Sequence, residues 1–207
     1  MSRTSAPADP RLAAVILAAG GSSRLGRPKQ LLRYRGATLI ERAVRLARRG
    51  AACDIVVVVG DQRQRLRSLL RRREQRRADD GRLTIVGNAR WAAGLATSLN
   101  VGIGAVPTTA KAALILVVDQ ARLDAEDIER LVAAWQKRPS KPAAARYLER
   151  AGVPAVIPRR WFPALASLTG DVGARQVLRR LDDVSLVDMP AAAFDVDLPA
   201  DAESLGA

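Results

Sequence analysis

Leu12-Ala13-Ala14-Val15-Ile16-Leu17-Ala18-Ala19-Gly20-Gly21-Ser22-Ser23-Arg24-Leu25-Gly26-Arg27-Pro28-Lys29 joins an unbroken apolar run to a glycine-rich turn that carries cationic side chains. Leu12 to Leu17 is too short to span a membrane and shows no polar alternation, so it reads as a strand covered on both faces. Open α/β sheets place their ligands at the C-terminal ends of such strands, which is where the turn begins. Gly20, Gly21 and Gly26 tolerate positive φ and carry no Cβ, so backbone N–H groups can converge there on phosphate oxygens. Arg24 offers a planar fork and Lys29 a compact charge, two complementary ways to hold a polyphosphate. Two other glycine loops are excluded by spacing. A Walker loop read from Gly21 to Gly26 needs Lys and then Ser or Thr, where the chain has Arg27 and Pro28, and Gly20-Gly21-Ser22-Ser23 breaks the G-x-G-x-x-G pattern.

The rest of the composition narrows the chemistry. At 207 residues and 48% hydrophobic content the chain sustains one sizeable core, read as a single domain over 12–207 behind a polar tail, Met1 to Arg11. The tail lacks the apolar segment of a signal peptide, and the longest later apolar run, Ala112 to Val118, cannot cross a bilayer. A soluble, cytoplasmic protein with no membrane partner is expected. Histidine is absent and Cys53 is the single cysteine. That excludes Ser-His and Cys-His nucleophilic catalysis, His-ligated metals, an intrachain disulfide and a Cys-rich zinc site. Any metal must sit on oxygen ligands, which points to magnesium-type chemistry.

The net charge is +13, from 34 Lys and Arg against 21 Asp and Glu. Much of the excess lies between Arg63 and Arg77, where arginines surround Leu66, Leu69 and Leu70. Leucines at that spacing mark an amphipathic helix whose arginines form a solvated face or bind a polyanion. Aromatic content of 3% leaves few platforms on which single-stranded bases would stack, so nucleic acid is not the expected partner.

Along the chain, strands are predicted at Asp54–Val59, Leu83–Val86 and Ala112–Val118, and helices at Thr38–Arg49, 63–77, Leu95–Val106 and Ala125–Lys137. Thr38 and Glu41 form a capping box. This alternation predicts a largely parallel sheet with helices on both faces, a single three-layer α/β/α domain. Beyond Pro139, Ala143–Tyr147 and Val153–Ile157 read as strands flanking a turn at Glu149 to Gly152. Helices near Trp161–Leu168 and Ala174–Leu181, strands at Val184–Met189 and Phe194–Val196, and a helix from Pro199 complete the pattern.

Four further segments hold candidate site residues. Asp119, at the C-terminal end of a strand, is a loop cap or a metal ligand. In Asp195-Val196-Asp197, an extended run, both acids project to one face, so either would complete a metal site, while Asp201 supports the start of the last helix. Gly87-Asn88-Ala89-Arg90-Trp91-Ala92-Ala93-Gly94-Leu95-Ala96-Thr97-Ser98 is a site loop or an ordinary entry into a helix capped by Thr97 or Ser98. Thr169-Gly170-Asp171-Val172-Gly173-Ala174-Arg175 presents Asp171 and Arg175 to a ligand, or uses Asp171 to cap the helix that follows.

Leu17 to Lys29 closely resembles the opening of the MobA-like nucleotidyltransferases: L-A-(A or G)-G, a small-residue turn, Arg, a hydrophobic residue, Gly and a later Lys. The L-A-A-G form, with Ala19, resembles the molybdenum cofactor cytidylyltransferase branch; guanylyl-transferring relatives usually show L-A-G-G. Asn88, Trp91, Gly94 and Ser98 resemble the family's N-x-x-W-x-x-G-x-x-x-S-L, Asp171 to Arg175 lies in a G-D-x-G-A-R segment, and Asp195 to Asp201 resembles D-(I/V)-D-x-P-x-D. Asp119-Gln120-Ala121 departs from the family's D-Q-P by the missing proline. The resemblance implies a Rossmann-like nucleotidyltransferase sheet. It implies nucleotide contacts from Leu17, Ala18, Ala19, Gly20, Gly21, Ser22, Ser23, Asn88, Gly94 and Ser98, with Arg24 and Lys29 as catalytic groups on the β- and γ-phosphates. It also implies Mg2+ on Asp119 and on Asp197 in preference to Asp195, and acceptor contacts from Asp171 and Arg175. The implied substrates are CTP, or another NTP such as GTP, and a phosphorylated acceptor such as molybdopterin, with a molybdoenzyme or its maturation chaperone as protein partner. A methyl at Ala19 would narrow the floor beneath a base. A non-enzymatic basic module binding nucleotide or RNA is the alternative.

Overall fold

The computed structural model describes residues 11–50, 52–75, 82–181 and 183–206. The expected tail lies outside them except for Arg11, as do Arg76 and Arg77 of the arginine-rich segment. In chain order the elements are β1 (Leu12–Ala18), β2 (Arg33–Tyr34), β3 (Ala37–Thr38), α1 (Leu39–Arg49), β4 (Asp54–Val59), α2 (Arg63–Glu74), β5 (Arg82–Gly87) and α3 (Leu95–Gly104). They continue with β6 (Ala112–Val117), α4 (Ala125–Lys137), β7 (Ala143–Tyr147), β8 (Arg150–Pro158), α5 (Phe162–Ala166), α6 (Ala174–Leu178), β9 (Ser185–Asp188) and α7 (Pro199–Ser204).

One seven-stranded sheet runs β5-β4-β1-β6-β8-β7-β9, while β2 and β3 make a separate small hairpin. Only β8 runs against its neighbours; the pairs β1–β4, β1–β6, β4–β5 and β7–β9 are parallel. Every residue of β1 is buried, as a strand central in a doubly covered sheet requires. Alternation divides its side chains between two cores. Ala14 and Ile16 join the core beneath α1 and α4, whereas Ala13, Val15 and Leu17 join the one beneath α3, α5 and α6. This is a three-layer α/β/α domain.

Local chemistry fixes the helix starts. The Thr38 N–H donates to Glu41 Oε2 at 2.8 Å and the Glu41 N–H to Thr38 Oγ1 at 3.4 Å, which satisfies two otherwise unpaired donors at the start of α1. Asp124 and Asp127 repeat the device on α4. The Asp201 carboxylate accepts from the N–H groups of Asp197 and Leu198 at 3.0 and 2.7 Å, and so supports the start of α7 as expected.

Two expectations need correction. The turn between β7 and β8 is Leu148-Glu149, both at positive φ (48° and 56°), as a two-residue hairpin turn demands, and Arg150 to Gly152 belong to β8. Phe194–Val196 is not a strand. Its Phe194 N–H turns back to the Ala191 carbonyl at 3.4 Å and its Val196 N–H bonds the Asp119 carbonyl at 3.0 Å, so it crosses the end of β6 instead of extending the sheet. No helix among the described residues is long and apolar enough to cross a membrane.

Candidate active site

The parallel strands β1, β4, β5 and β6 end on the same edge of the sheet, which brings together Gly20, Gly60, Asn88 and Asp119. A cleft of about 790 Å³ opens there. Leu17, Ala18, Ala19, Gly20, Ser22, Ser23, Gly94 and Ser98 line it, together with Arg24, Lys29, Asp119, Asp171 and Asp197. Residues from the first and last segments of the chain thus share one site.

The left-handed turns of the glycine loop fall on Ser22 (φ 56°) and Gly26 (φ 73°), not on Gly20 or Gly21. Gly21 is required for a different reason: a Cβ there would lie 2.8 Å from the ring of Trp91, which packs against the loop and lines the cleft. Ser22 Oγ accepts the Lys29 N–H at 3.1 Å and closes the loop on itself. Gln30, absent from the sequence-based set, is buried, and its Nε2 donates to the carbonyls of Ala18 and Gly20 at 3.0 and 2.8 Å. Its side chain clamps the loop to the end of β1. Ala19 lines the cleft while being only 4% exposed, and it packs into the core that contains Leu99.

Lys29 occupies the centre of the site. Its Nζ donates to Asp119 Oδ2 at 2.8 Å and to Asp197 Oδ1 at 2.7 Å, while Arg24 donates to Asp197 Oδ2 at 2.8 Å. Burial works against the Lys29 charge, but Asp119 and then Asp197 outweigh it and hold the ammonium above its ordinary pKa. The hydrogen bond from Lys29, opposed by burial and aided by Arg24, holds the Asp197 carboxyl below its usual range. Arg24 is largely exposed, whereas the Lys29 side chain is only 12% exposed. The missing proline after Gln120 does not open the turn: the Ala121 N–H bonds the Asp119 carbonyl at 2.8 Å, and the Gln120 amide donates to the carbonyls of Val153 and Ala192.

Asp195 and Arg175 lie in an adjoining cavity of about 320 Å³ that shares Leu17, Leu95, Val117 and Asp119 with the cleft. Burial, and then the charges of Asp119 and Asp197, push the Asp195 carboxyl up to about 6. Tyr147, also missed by sequence reasoning, lines this cavity with the Arg175 guanidinium 5.5 Å from its ring centre. A lone tyrosine at a strand end gives no pattern from which to predict that.

Two residues sit differently from expectation. Asn88 is buried behind the cleft, where its Nδ2 donates to Thr97 Oγ1 and Ser98 Oγ at 2.8 and 2.9 Å and its Oδ1 accepts from the Arg90 N–H. It positions Ser98 without lining the cleft. Thr97 Oγ1 in turn donates to the carbonyls of Arg90 and Gly94, and neither Thr97 nor Ser98 caps α3, whose N-cap is Gly94. Asp171 Oδ1 accepts from the Leu95 N–H at 3.4 Å, so it faces the start of α3 and not α6, whose N-cap is Gly173. Gly94 takes φ 112° at this junction, and the Ala96 N–H reaches the Gly170 carbonyl.

Two carboxylates and two cations gathered at a glycine loop, on the C-terminal edge of a mostly parallel sheet, define an α/β domain of the nucleotidyltransferase type. The chain belongs to the MobA-like NTP transferase family, whose domain model matches residues 14–184. It is 36% identical over 180 residues to the nicotine blue oxidoreductase of Paenarthrobacter nicotinovorans, a match that covers 83% of each chain. Its fold is similar to that of Rv0371c from Mycobacterium tuberculosis H37Rv, with a TM-score of 0.75 and 25% identity over 94% of this chain and 97% of that one. A homologue of that protein from Mycobacterium sp. strain JC1 gives a TM-score of 0.74 and 29% identity over 96% of both chains.

Proposed function

We propose that the protein transfers a cytidylyl group from CTP to a phosphorylated acceptor such as molybdopterin, releasing pyrophosphate. The observation that carries this reading is Lys29 bridging Asp119 and Asp197 beside the glycine loop, with Arg24 on the same acid. Cations for a polyphosphate and carboxylates for a hard metal ion meet within one hydrogen-bond network. The base preference rests on the L-A-A-G resemblance.

The chain's own residues do the following work. Backbone N–H groups of the loop around Ser22 and Ser23 orient the triphosphate, and Lys29 and Arg24 neutralise the β- and γ-phosphates that become the leaving group. An acceptor phosphate oxygen attacks the α-phosphorus in line, the bond to the bridging oxygen breaks, and pyrophosphate departs. That oxygen is already ionised at neutral pH, so no general base is needed and the absence of histidine is consistent. The donor set suits Mg2+, which takes one or two carboxylates and fills its remaining positions with water and phosphate oxygens. Asp119 and Asp197 would hold it, and when bound it supplies Lewis-acid stabilisation of developing charge. The cavity of Tyr147, Arg175 and Asp195 would receive the acceptor.

The test incubates the purified chain with Mg2+, molybdopterin and CTP or GTP and follows pyrophosphate. CTP-dependent release with the higher kcat/KM supports the reading; a CTP to GTP ratio at or below about one discards the cytidylyl assignment while leaving nucleotidyl transfer intact. A second reading, oxidation or reduction of nicotine blue or a similar compound, is favoured by the 36% identity to the Paenarthrobacter enzyme. Consumption of NADH or NADPH that requires nicotine blue, with no pyrophosphate formed from any nucleotide, would establish it instead.

A further inference from the structure

Helices α1 and α2 and the β2–β3 turn enclose a groove of about 330 Å³ that shares no lining residue with the cleft. Its acids are already satisfied. Arg48 donates to both carboxylate oxygens of Glu74 at 2.8 and 2.9 Å, and Arg73 donates to Glu41, so each pair ties one helix to the other. Val44 and Leu70 give the groove an apolar floor. Around it stand exposed cations: Arg45 in the groove wall, Arg49 one turn further along α1, and Arg73 at the end of α2. The crowding of positive charge registers on Arg42, whose guanidinium is held below its ordinary pKa by burial first and then by Arg45, with Arg35 adding to the effect.

We propose that this groove docks an acidic segment of another protein, which places an aliphatic side chain against Val44 and Leu70 and carboxylates against Arg45 and Arg49. The size fits a side chain better than a nucleotide, because small-molecule sites run from about 300 to 1,000 Å³ and this groove is at the bottom of that range. Arginine around an apolar centre is the composition of a protein interface, and complementary charge there sets encounter rate and partner choice. Nucleic acid fits poorly. Single strands need free aromatic faces, and the nearby Tyr34 ring already carries the guanidiniums of Arg35 and Arg42 at 5.1 and 4.9 Å.

The probe is a fluorescein-labelled twelve-residue peptide of repeating Glu-Glu-Leu, titrated against the full chain and followed by anisotropy. Saturable binding is expected, weakened at least about tenfold by the double substitution Arg45→Glu and Arg49→Glu, since truncating or reversing charges that face a partner changes affinity by that order. An all-Glu peptide of the same length should bind several-fold more weakly for want of the aliphatic contact. Hydrogen exchange on the unsubstituted chain, which does not depend on how the variant folds, should show peptide-induced protection at residues 36–49 and 66–75. Equal peptide affinity in the folded double variant would overturn the proposal, as would protection confined to residues 17–29. Displacement of the peptide by a single-stranded RNA whose own binding is lost in the same variant would overturn it in favour of a nucleic-acid site.

Discussion

Lys29 Nζ stands 2.7 Å from Asp197 Oδ1, although 168 residues separate them along the chain. With Asp119 Oδ2 on the same nitrogen at 2.8 Å, one ammonium joins the loop after β1, the end of β6 and the segment before α7. Two carboxylates this near each other repel, and the shared cation offsets that repulsion. On the proposed function, an arriving triphosphate would compete with the acids for Lys29, and the acids so released would be free to hold a divalent ion.

Replacing Lys29 by Ala should lower kcat/KM by about a hundredfold or more, and Arg24→Ala by about tenfold, from the loss of charge-assisted contacts worth roughly 1.5–3 kcal/mol each. The difference follows from burial: Lys29 is enclosed, whereas the Arg24 side chain is 69% exposed and screened by water. Steady-state kinetics of pyrophosphate release on variants with unaltered circular dichroism would measure it. Wild-type kinetics in both variants would remove the phosphate-cradle role.

The three acids should separate by function. Asp119→Asn and Asp197→Asn should each raise the Mg2+ concentration needed for half-maximal activity, because an amide supplies no full negative charge to a hard cation. Asp195→Asn, in the adjoining cavity beside Tyr147 and Arg175, should leave the metal dependence unchanged and raise the KM for the acceptor. Magnesium titrations at saturating nucleotide distinguish the cases. A shift in metal dependence confined to Asp195→Asn would reverse the assignment of the two terminal acids.

Gln30→Leu should destabilise the fold by about 1–3 kcal/mol and lower turnover as well, since it withdraws the donor from the Ala18 and Gly20 carbonyls in a buried setting. Chemical denaturation reports the first effect and kinetics the second. Full stability and full activity together would show that the loop holds its shape without the amide.

Gln30 also illustrates what could be read in advance and what could not. Strand β4, helix α4 and the capping box of Thr38 and Glu41 were legible because apolar periodicity and caps are local: the residues that decide them lie within a turn or two of each other. That a glycine loop follows β1 at the edge of the sheet was legible from its residue types. Which residue takes the left-handed turn was not, because Ser22 adopts φ 56° directly after two glycines, Gly20 and Gly21, that do not. The bonds of Asn88 to Thr97 and Ser98 were not foreseen, and Asp171 does not cap α6. Asp171 meets the Leu95 N–H across 76 residues, a contact that depends on how α3 and the segment before α6 pack and leaves no trace in spacing.

The capping box on α1 should make stability pH-dependent in a defined direction. Burial pushes the Glu41 carboxyl up, but donation from the Thr38 backbone and hydroxyl, together with Arg73, outweighs it and leaves the net shift downward. A carboxyl whose folded-state pKa is lowered binds protons less readily in the native protein than in the unfolded chain. Its contribution is therefore fully present above the unfolded pKa, about 4.3 for Glu, and is lost as the pH falls through the lower folded value. Glu41→Gln keeps an acceptor for the Thr38 N–H but removes the charge, so it should cost about 0.5–1 kcal/mol at pH 7, with little of that from the Arg73 pair, whose cation is half exposed. Thermal unfolding of both proteins between pH 7 and pH 3 is the measurement. The two Tm curves should converge below about pH 4. A Tm difference that stays constant across the range would place the effect of Glu41 in packing and not in its charge.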